Sequence, residues 1–390
     1  MTKKRNRIKL LNLHSDYFDY NLLAVIILLT CFGLVMLYST SAYIAEIKFK
    51  GDDMYYFRKQ AFVSAACIIG AVAISFFDYH IFYKFAGVIY VVSAVLMLLV
   101  QSPLGVTANG ARRWLKIGIQ FQPSEIAKIA MVIAIPALIV KLGSMYKGLK
   151  PVVLGLFLAI GLFICAWKFT DNLSTAIIIF GIACVILFVA HPKTWPFLMV
   201  AVAGVVVIVI AVMFLQNSME NSSNFRIQRV LVWLDPEKYA EEGGYQILQA
   251  LYALGSGGFF GKGLGNSTQK LGPVPEAQND MIFSIICEEL GIFGGAIVLL
   301  LFGYLIYRLF FIARNAPDLF GSLMVTGIMA HISLQVILNI CVVINLIPTT
   351  GVTLPFVSYG GTSVMFLMAE MALAMSVSRS IRFQKREPIR

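Results

Sequence analysis

Across 390 residues the chain is 59% hydrophobic and only 13% charged, with a net charge of +11 and a mean hydropathy of +0.82. A soluble domain carries about 25% charged residues, so this composition excludes a soluble enzyme and points to an all-α integral membrane protein. The excess positive charge lies at the two chain ends and in short loops, which fits a positive-inside topology and argues against nucleic acid as a partner.

Apolar runs of spanning length are predicted at about 20–42, 60–78, 81–100, 124–142, 152–168, 172–190, 196–215, 279–310, 319–346 and 362–378, ten transmembrane helices in all. An even count puts both termini on one side. Lys3, Lys4, Arg5, Arg7 and Lys9 at one end, and Arg379, Arg382, Lys385, Arg386 and Arg390 at the other, assign that side to the cytoplasm. The basic start is followed by a full span with no small-residue cleavage site, so the first helix is expected to remain as an anchor. The expected organisation is a basic tail (1–19), one membrane domain (20–378) with a large external loop (216–279) between helices seven and eight, and a second basic tail (379–390). Cys31, Cys67, Cys165, Cys184, Cys287 and Cys341 all fall in apolar segments and form no disulfide framework. His14, His80, His191 and His331 lack zinc-site spacing. Lys262 stands in the glycine-rich stretch Gly255–Gly265 without a phosphate-loop pattern, and that stretch reads as a flexible external segment.

The polar exceptions are the candidates for chemistry. Between helices three and four lies Asn109-Gly-Ala-Arg112-Arg113-Trp114-Leu-Lys116, a cationic cluster on the outer side, against the topogenic rule. Arg112 and Arg113 suit a bidentate phosphate clamp; the alternative is snorkelling to lipid headgroups beside a belt tryptophan, Trp114. Glu125 and Lys128, at i and i+3 inside a span, make either a functional pair or an interhelical structural one. In the external loop, Ile227, Val230, Leu231 and Leu234 form an apolar stripe beside Arg226 and Arg229, predicting a helix in the interface. Tyr245–Leu264 reads as a short helix followed by a glycine-rich turn. Asp280 stands where the loop becomes helix eight, as a helix cap or as a general base facing outward. Glu288 and Glu289 fall about 12 to 14 Å deeper at 1.5 Å per residue, too far to share a centre with it directly. Finally Gly351-Val-Thr-Leu-Pro-Phe-Val-Ser-Tyr-Gly-Gly-Thr-Ser363 sets helix-breaking sequence between two spans. It is read as re-entrant backbone, with Gly360 either at positive φ or permitting close backbone approach, or else as a plain external loop.

These segments are similar to signatures of the SEDS family (shape, elongation, division and sporulation), and they occur in the family's order. They are Asn109–Gly118 with Gln122-Pro-Ser-Glu-Ile-Ala-Lys128, Gly244–Gln249, Gly263–Leu271, Pro275–Asp280 and Gly351–Ser363. The Gly-Leu-Gly-Asn-Ser and Pro-Glu-Ala elements resemble the FtsW and SpoVE branch more than the RodA branch. The resemblance implies a peptidoglycan glycosyltransferase that polymerises lipid II and releases polyprenyl pyrophosphate beside a class B penicillin-binding protein. It implies that Asp280 matches the catalytic aspartate, and that Arg113, Trp114, Glu125 and Lys128 surround a central cavity; Ser358 of the last signature is taken as substrate-facing. Two departures stand out. Gln278-Asn279 replaces the usual His-Thr before the aspartate, and Thr170-Asp-Asn-Leu-Ser174 replaces Glu-Pro-Asp-x-Gly.

The implied chemistry suits this inventory. Glycosidases need a second carboxyl group to protonate a leaving alcohol, whereas pyrophosphate leaves as a stable anion when cations receive it. One Asp with an Arg/Lys cluster is therefore sufficient. No dedicated cofactor pattern occurs, although a divalent cation, Mg or Mn, could bridge Asp280 or Glu276 to phosphate oxygens. Two rival readings are a lipid II flippase, for which no inverted repeat is visible, and a non-catalytic scaffold for the penicillin-binding protein.

Overall fold

The computed structural model describes residues 17–108, 111–143, 148–195, 197–199, 202, 206, 225–271, 274–275 and 277–382. The expected seventh span (196–215), Glu276 and most of both basic tails lie largely or wholly outside these residues. Three helices open the chain: α1 (Tyr20–Lys48), α2 (Tyr55–Ile74) and α3 (His80–Leu99). Next come α4 (Pro123–Leu142), α5 (Leu149–Ile164), continued by a π-helical turn over Cys165–Phe169, and α6 (Leu173–Ala190). The expected external loop contributes α7 (Phe225–Leu234) and α8 (Gly244–Ser256). The chain closes with α9 (Ile282–Asn315), α10 (Leu319–Val343) and α11 (Gly361–Arg379). Among the described residues, eight helices are long and apolar enough to cross a membrane: α1, α2, α3, α5 with its π turn, α6, α9, α10 and α11. The 20-residue α4 matches them in length, though it carries Glu125 and Lys128.

Burial sorts these helices into a core and a lipid-facing shell. Only 17% of the most apolar stretch of α2 or α3 is buried, against 61% for α10 and 67% for α11. Most of α4 is buried as well, and it packs against α3, α6, α10 and α11. An apolar side chain gains nothing by leaving lipid for protein, so the shell helices tolerate large exposed residues such as Phe62 and Phe157. The core helices concentrate the buried polar groups Glu125, Lys128, His331, Gln335, Asn339 and Glu370.

Two features depart from the expected elements. The segment after α3 folds as a small antiparallel sheet in the order β1 (Gly105–Ala108), β2 (Ala111–Ile117), β3 (Ile119–Phe121). Val106 pairs with Trp114, Thr107 with Arg112 across a bulge, and Leu115 with Phe121. The cationic cluster is thus part of a rigid ribbon.

The second departure corrects the reading of Gly255–Gly265 as flexible. Helix α9 is broken at Gly291, which has φ 70° and ψ −173°, and the glycine-rich stretch is docked into that break. Lys262 N–H donates to Glu288 O and Gly263 N–H to Glu289 O, both at 2.9 Å, while Ile292 N–H donates to Gly258 O at 3.0 Å and Phe293 N–H to Phe259 O at 3.2 Å. The groups that the broken helix frees are therefore satisfied by an adjacent backbone, as membrane depth demands. Beneath the dock, Glu288 pairs with Lys262 at 2.6 Å and Glu289 with Lys270 at 2.7 Å, and Glu289 also accepts from Ser39 of α1. At the opposite end of α9, Arg308 reaches the cap of α1 by pairing with Asp19 at 2.6 Å.

Candidate functional site

Chain direction brings the end of α3, the sheet, and the starts of α4, α6, α9 and α11 to one end of the bundle, together with the end of α10. There the segment 344–360 runs without regular secondary structure. Its second half is buried in protein, since Val352, Leu354, Phe356, Val357 and Ser358 are each 8% exposed or less, whereas Ile344 and Leu346 are exposed. This favours the re-entrant reading over the external loop.

Its carbonyls are taken up by side chains from three helices. Ser174 of α6 donates to Thr350 O at 2.8 Å, and Arg229 of α7 to Thr349 O at 3.2 Å. Asn339 of α10 donates to Val352 O at 2.7 Å, and Gln335 to Thr353 O at 2.9 Å. Helix α7 is fastened beside this segment, with Trp233 Nε1 donating to Asn345 O at 3.0 Å. The interfacial helix of the sequence reading is thus docked on the protein.

At its centre the segment turns sharply. Phe356, buried and with a β-carbon, is held at φ 62°, a strained conformation that persists only where its surroundings impose it. The Ser358 hydroxyl accepts from Leu354 N–H at 2.8 Å, and Ser358 N–H returns a bond to Leu354 O at 3.0 Å, so this serine fastens the turn. The expectation of positive φ at Gly360 is not met, because its φ of 170° is extended backbone. Gly351 is the residue that needs glycine's freedom, at φ 68°; a β-carbon there would stand 3.9 Å from Asp280 Oδ2.

That contact locates Asp280. Met281 occupies the N-cap position of α9, so the carboxylate does not hold the cap position its sequence context suggested. The backbone of Asp280 is tied to the core through Asn339, whose Nδ2 donates to Asp280 O at 2.7 Å. Tyr359 N–H donates to Gln278 O at 2.9 Å and joins the same two segments.

Different hydrogen bonds separate the two arginines that the sequence grouped together. Arg113 is the extra residue of the β2 bulge, and its Nη2 donates to Asp171 O at 3.0 Å, at the mouth of α6. Arg112 donates to Ser102 O, securing the end of α3. Arg229 is a further cation near the aspartate. Burial first, and the neighbouring Arg113 guanidinium second, push the Arg229 guanidinium below arginine's ordinary range, while Asp280 acts in the opposite sense. Arginine stays charged at neutral pH, and burial beside a second guanidinium is a setting that an arriving anion relieves. Asp280, Arg113 and Arg229 thus form one electrostatic group around residues 349–351.

Glu125 and Lys128 lie one layer behind. They pair at 2.9 Å and are 8% and 2% exposed. Ser363 donates to Glu125 Oε2 at 3.4 Å, and Lys128 Nζ donates to Gln335 Oε1 at 3.3 Å. The sequence reading missed Arg229 as a site residue, and it missed the stripe His331, Gln335, Asn339. The available signal was polar residues at i, i+4 and i+8 of a span, which place them on one interior face. Among the described residues no three His, Cys, Asp or Glu side chains come together as metal ligands.

Comparison with known proteins agrees with this architecture. Stage V sporulation protein E of Bacillus subtilis is 37% identical over 374 residues, covering 94% of this chain and 98% of the relative. The probable peptidoglycan glycosyltransferase FtsW of a Geobacter species (strain M18) is 34% identical over 370 residues, covering 94% and 98%. Among solved structures, a chain from a peptidoglycan synthase complex that coordinates polymerization and crosslinking superposes with a TM-score of 0.76 at 26% identity, covering 93% of this chain and 98% of that one. The family model described as "Cell cycle protein" matches residues 19–383, and the chain belongs to that family of FtsW, RodA and SpoVE membrane proteins.

Proposed function

We propose that the chain is a peptidoglycan glycosyltransferase that polymerises lipid II into β-1,4 glycan strands at the outer face of the cytoplasmic membrane. The observation that carries this reading is the gathering of one carboxylate and two guanidiniums, Asp280, Arg113 and Arg229, around residues 349–351. In the reaction Asp280 takes the proton of the acceptor sugar's 4-hydroxyl, and the resulting oxygen attacks the anomeric carbon of the donor from the face opposite its α-linked pyrophosphate. The C–O bond to pyrophosphate breaks as the β-bond forms. Arg113 and Arg229 receive the negative charge that develops on the leaving group, a task for which preoriented cations in a desolvated site are suited. The activated lipid supplies the energy.

Arg112 and Trp114 hold the ribbon that presents Arg113, and Glu125 with Lys128 supports the site from behind. Ser358 secures the turn. A divalent cation is an auxiliary proposal: it would rest on Asp280, on Glu276 outside the described residues, and on the substrate's own phosphate oxygens, and would offset charge there. The partner proposed is a class B penicillin-binding protein, in keeping with the crosslinking complex to which the fold is similar.

The deciding experiment supplies the purified protein, with and without its crosslinking partner, with lipid II in detergent. Strand synthesis that falls by about 10² to 10⁴-fold in Asp280→Asn, the range for loss of a general base, supports the reading. Wild-type strand lengths and rates from the Asn variant refute Asp280 as base. Lipid II movement across vesicles without strands would identify a flippase, and neither activity would identify a scaffold.

A further inference from the structure

Helix α10 carries His331, Gln335 and Asn339 in steps of four, and each is 2% exposed or less. Polar side chains inside a membrane bundle are costly unless their bonds are satisfied, so where these bonds go is informative. Asn339 Nδ2 donates to Asp280 O and to Val352 O, both at 2.7 Å. Gln335 Nε2 donates to Thr353 O at 2.9 Å, which fixes the sense of its amide and leaves Oε1 as an acceptor for Lys128 Nζ at 3.3 Å. The same Oε1 faces His331 Nε2 at 2.9 Å, so that nitrogen carries a proton. His331 Nδ1 then meets Glu370 Oε2 of α11 at 2.7 Å. Whether drawn as imidazolium with carboxylate or imidazole with carboxylic acid, the pair shares one proton and is neutral.

Asn339 Oδ1 and Glu370 Oε1 are left without partners among the described residues, and the remaining donors and acceptors match in a single sense. Turning the Gln335 amide over would set its NH₂ against the Lys128 ammonium and the His331 N–H, and its oxygen against the Thr353 carbonyl. Glu370 fixes the imidazole, the imidazole fixes the amide, and the amides of Gln335 and Asn339 fix successive residues of the re-entrant segment and the backbone of Asp280. Apolar packing would fill the same volume without imposing this register. We propose that the His331–Gln335–Asn339 stripe, locked by Glu370, is a positioning ladder that sets the Asp280 carboxylate against residues 349–353. This inference rests on the reading of Asp280 as the general base.

Four variants in the purified, partner-bound protein test it, with kcat and KM for lipid II polymerisation and amide hydrogen exchange across 349–354 in the substrate-free state. Gln335→Glu keeps the acceptor toward Lys128 and His331 but loses the donor to Thr353 O; Asn339→Asp loses both of its donations. Each is expected to lower kcat by about 10²-fold, the loss that follows a misplacement of about 1 Å, with KM little changed and exchange across 349–354 accelerated. Glu370→Gln can donate to His331 Nδ1 and keep the ladder, so it should retain turnover, whereas Glu370→Leu should not. Wild-type kcat and protection in folded Gln335→Glu and Asn339→Asp would overturn the proposal. So would Glu370→Gln losing as much as Glu370→Leu, which would mean that the pair moves a proton. If Glu370→Leu fails to fold, the other three decide. Faster exchange in Gln335→Glu alongside a wild-type protein that makes no strands would refute the catalytic reading and leave the ladder standing.

Discussion

Replacing Gly33 with alanine should impair catalysis from the far side of the re-entrant segment. Gly33 lies in the middle of α1, and a β-carbon there would meet Val357 Cα at 2.6 Å and Phe356 O at 2.7 Å, both backbone atoms. Ordinary contact begins at 3.4 Å, so α1 or the segment must retreat by about 0.8 Å along that line. The segment is the softer of the two, because helix α1 is packed against both α2 and α9. Its displacement acts on the strained Phe356 turn and, five residues upstream, on Gly351 beside Asp280. Overpacking of this kind costs about 1–3 kcal/mol in stability, and a shift of about 1 Å at reacting groups costs about 10²-fold in rate. Gly87→Ala is the control, since nothing lies within 4 Å of a β-carbon there. Lipid II polymerisation and thermal unfolding in detergent are the two measurements. A Gly33→Ala protein that melts like wild type and polymerises at the wild-type rate would show that this contact does not constrain the site.

The remaining predictions concern the cations and the dock. Arg113→Lys and Arg229→Lys should each lower turnover, and the Gln variants should lower it further, because lysine keeps the charge and loses the fork. Arg112→Lys should affect melting more than turnover, and a larger effect on turnover at Arg112 than at Arg113 would reverse the roles drawn from their bonds to Ser102 O and Asp171 O. Gly257→Ala and Gly261→Ala would set a β-carbon 2.0 Å from Cys287 O and 2.2 Å from Glu289 O, so each should destabilise by at least about 1–3 kcal/mol. Gly255→Ala, with open space around it, should not. Equal melting temperatures for all three would mean that the glycine-rich stretch is not held in the break of α9.

How much of this was legible in the sequence depended on whether the cause was local. Spanning helices announce themselves by length of apolar run, and Pro355 with Gly360 and Gly361 marks backbone that cannot stay helical, so the membrane bundle and the re-entrant segment were readable. The sheet was readable in principle, because Asn109-Gly110 is a two-residue hairpin signal between alternating residues; the density of charge made it look like a loop. Gly255–Gly265 was illegible for a different reason. Its glycines are required by the carbonyls of Cys287 and Glu289, about 30 residues away, and glycine composition by itself looks the same in a flexible segment and in close backbone packing. Arg229 belongs to the same class: its position on an amphipathic helix is a local fact, but its proximity to Arg113 and Asp280 comes from the docking of α7 through Trp233.

The distribution of charge explains why the site lies where it does. Deep in the bundle, Glu125 is matched by Lys128 and Glu370 by His331; beneath the dock, Glu288 is matched by Lys262 and Glu289 by Lys270; at the other end, Asp19 is matched by Arg308. A low-dielectric interior demands this, since breaking one partner of such a pair leaves an uncompensated charge worth several kcal/mol. The group at 349–351 differs in kind, because it sets two guanidiniums near one carboxylate at the edge of the buried core. Burial first, and the neighbouring Arg113 second, push the Arg229 guanidinium down. Such a setting becomes an advantage when an anion forms. A ground-state phosphate ligand would use the same cations, but it would not require a carboxylate beside them, since Asp280 repels bound anion as surely as the arginines attract it. The combination makes sense under the proposed role of Asp280 as the base: the carboxylate would lose its charge as the pyrophosphate gains its own, so that the interactions would strengthen toward the transition state rather than in the bound substrate.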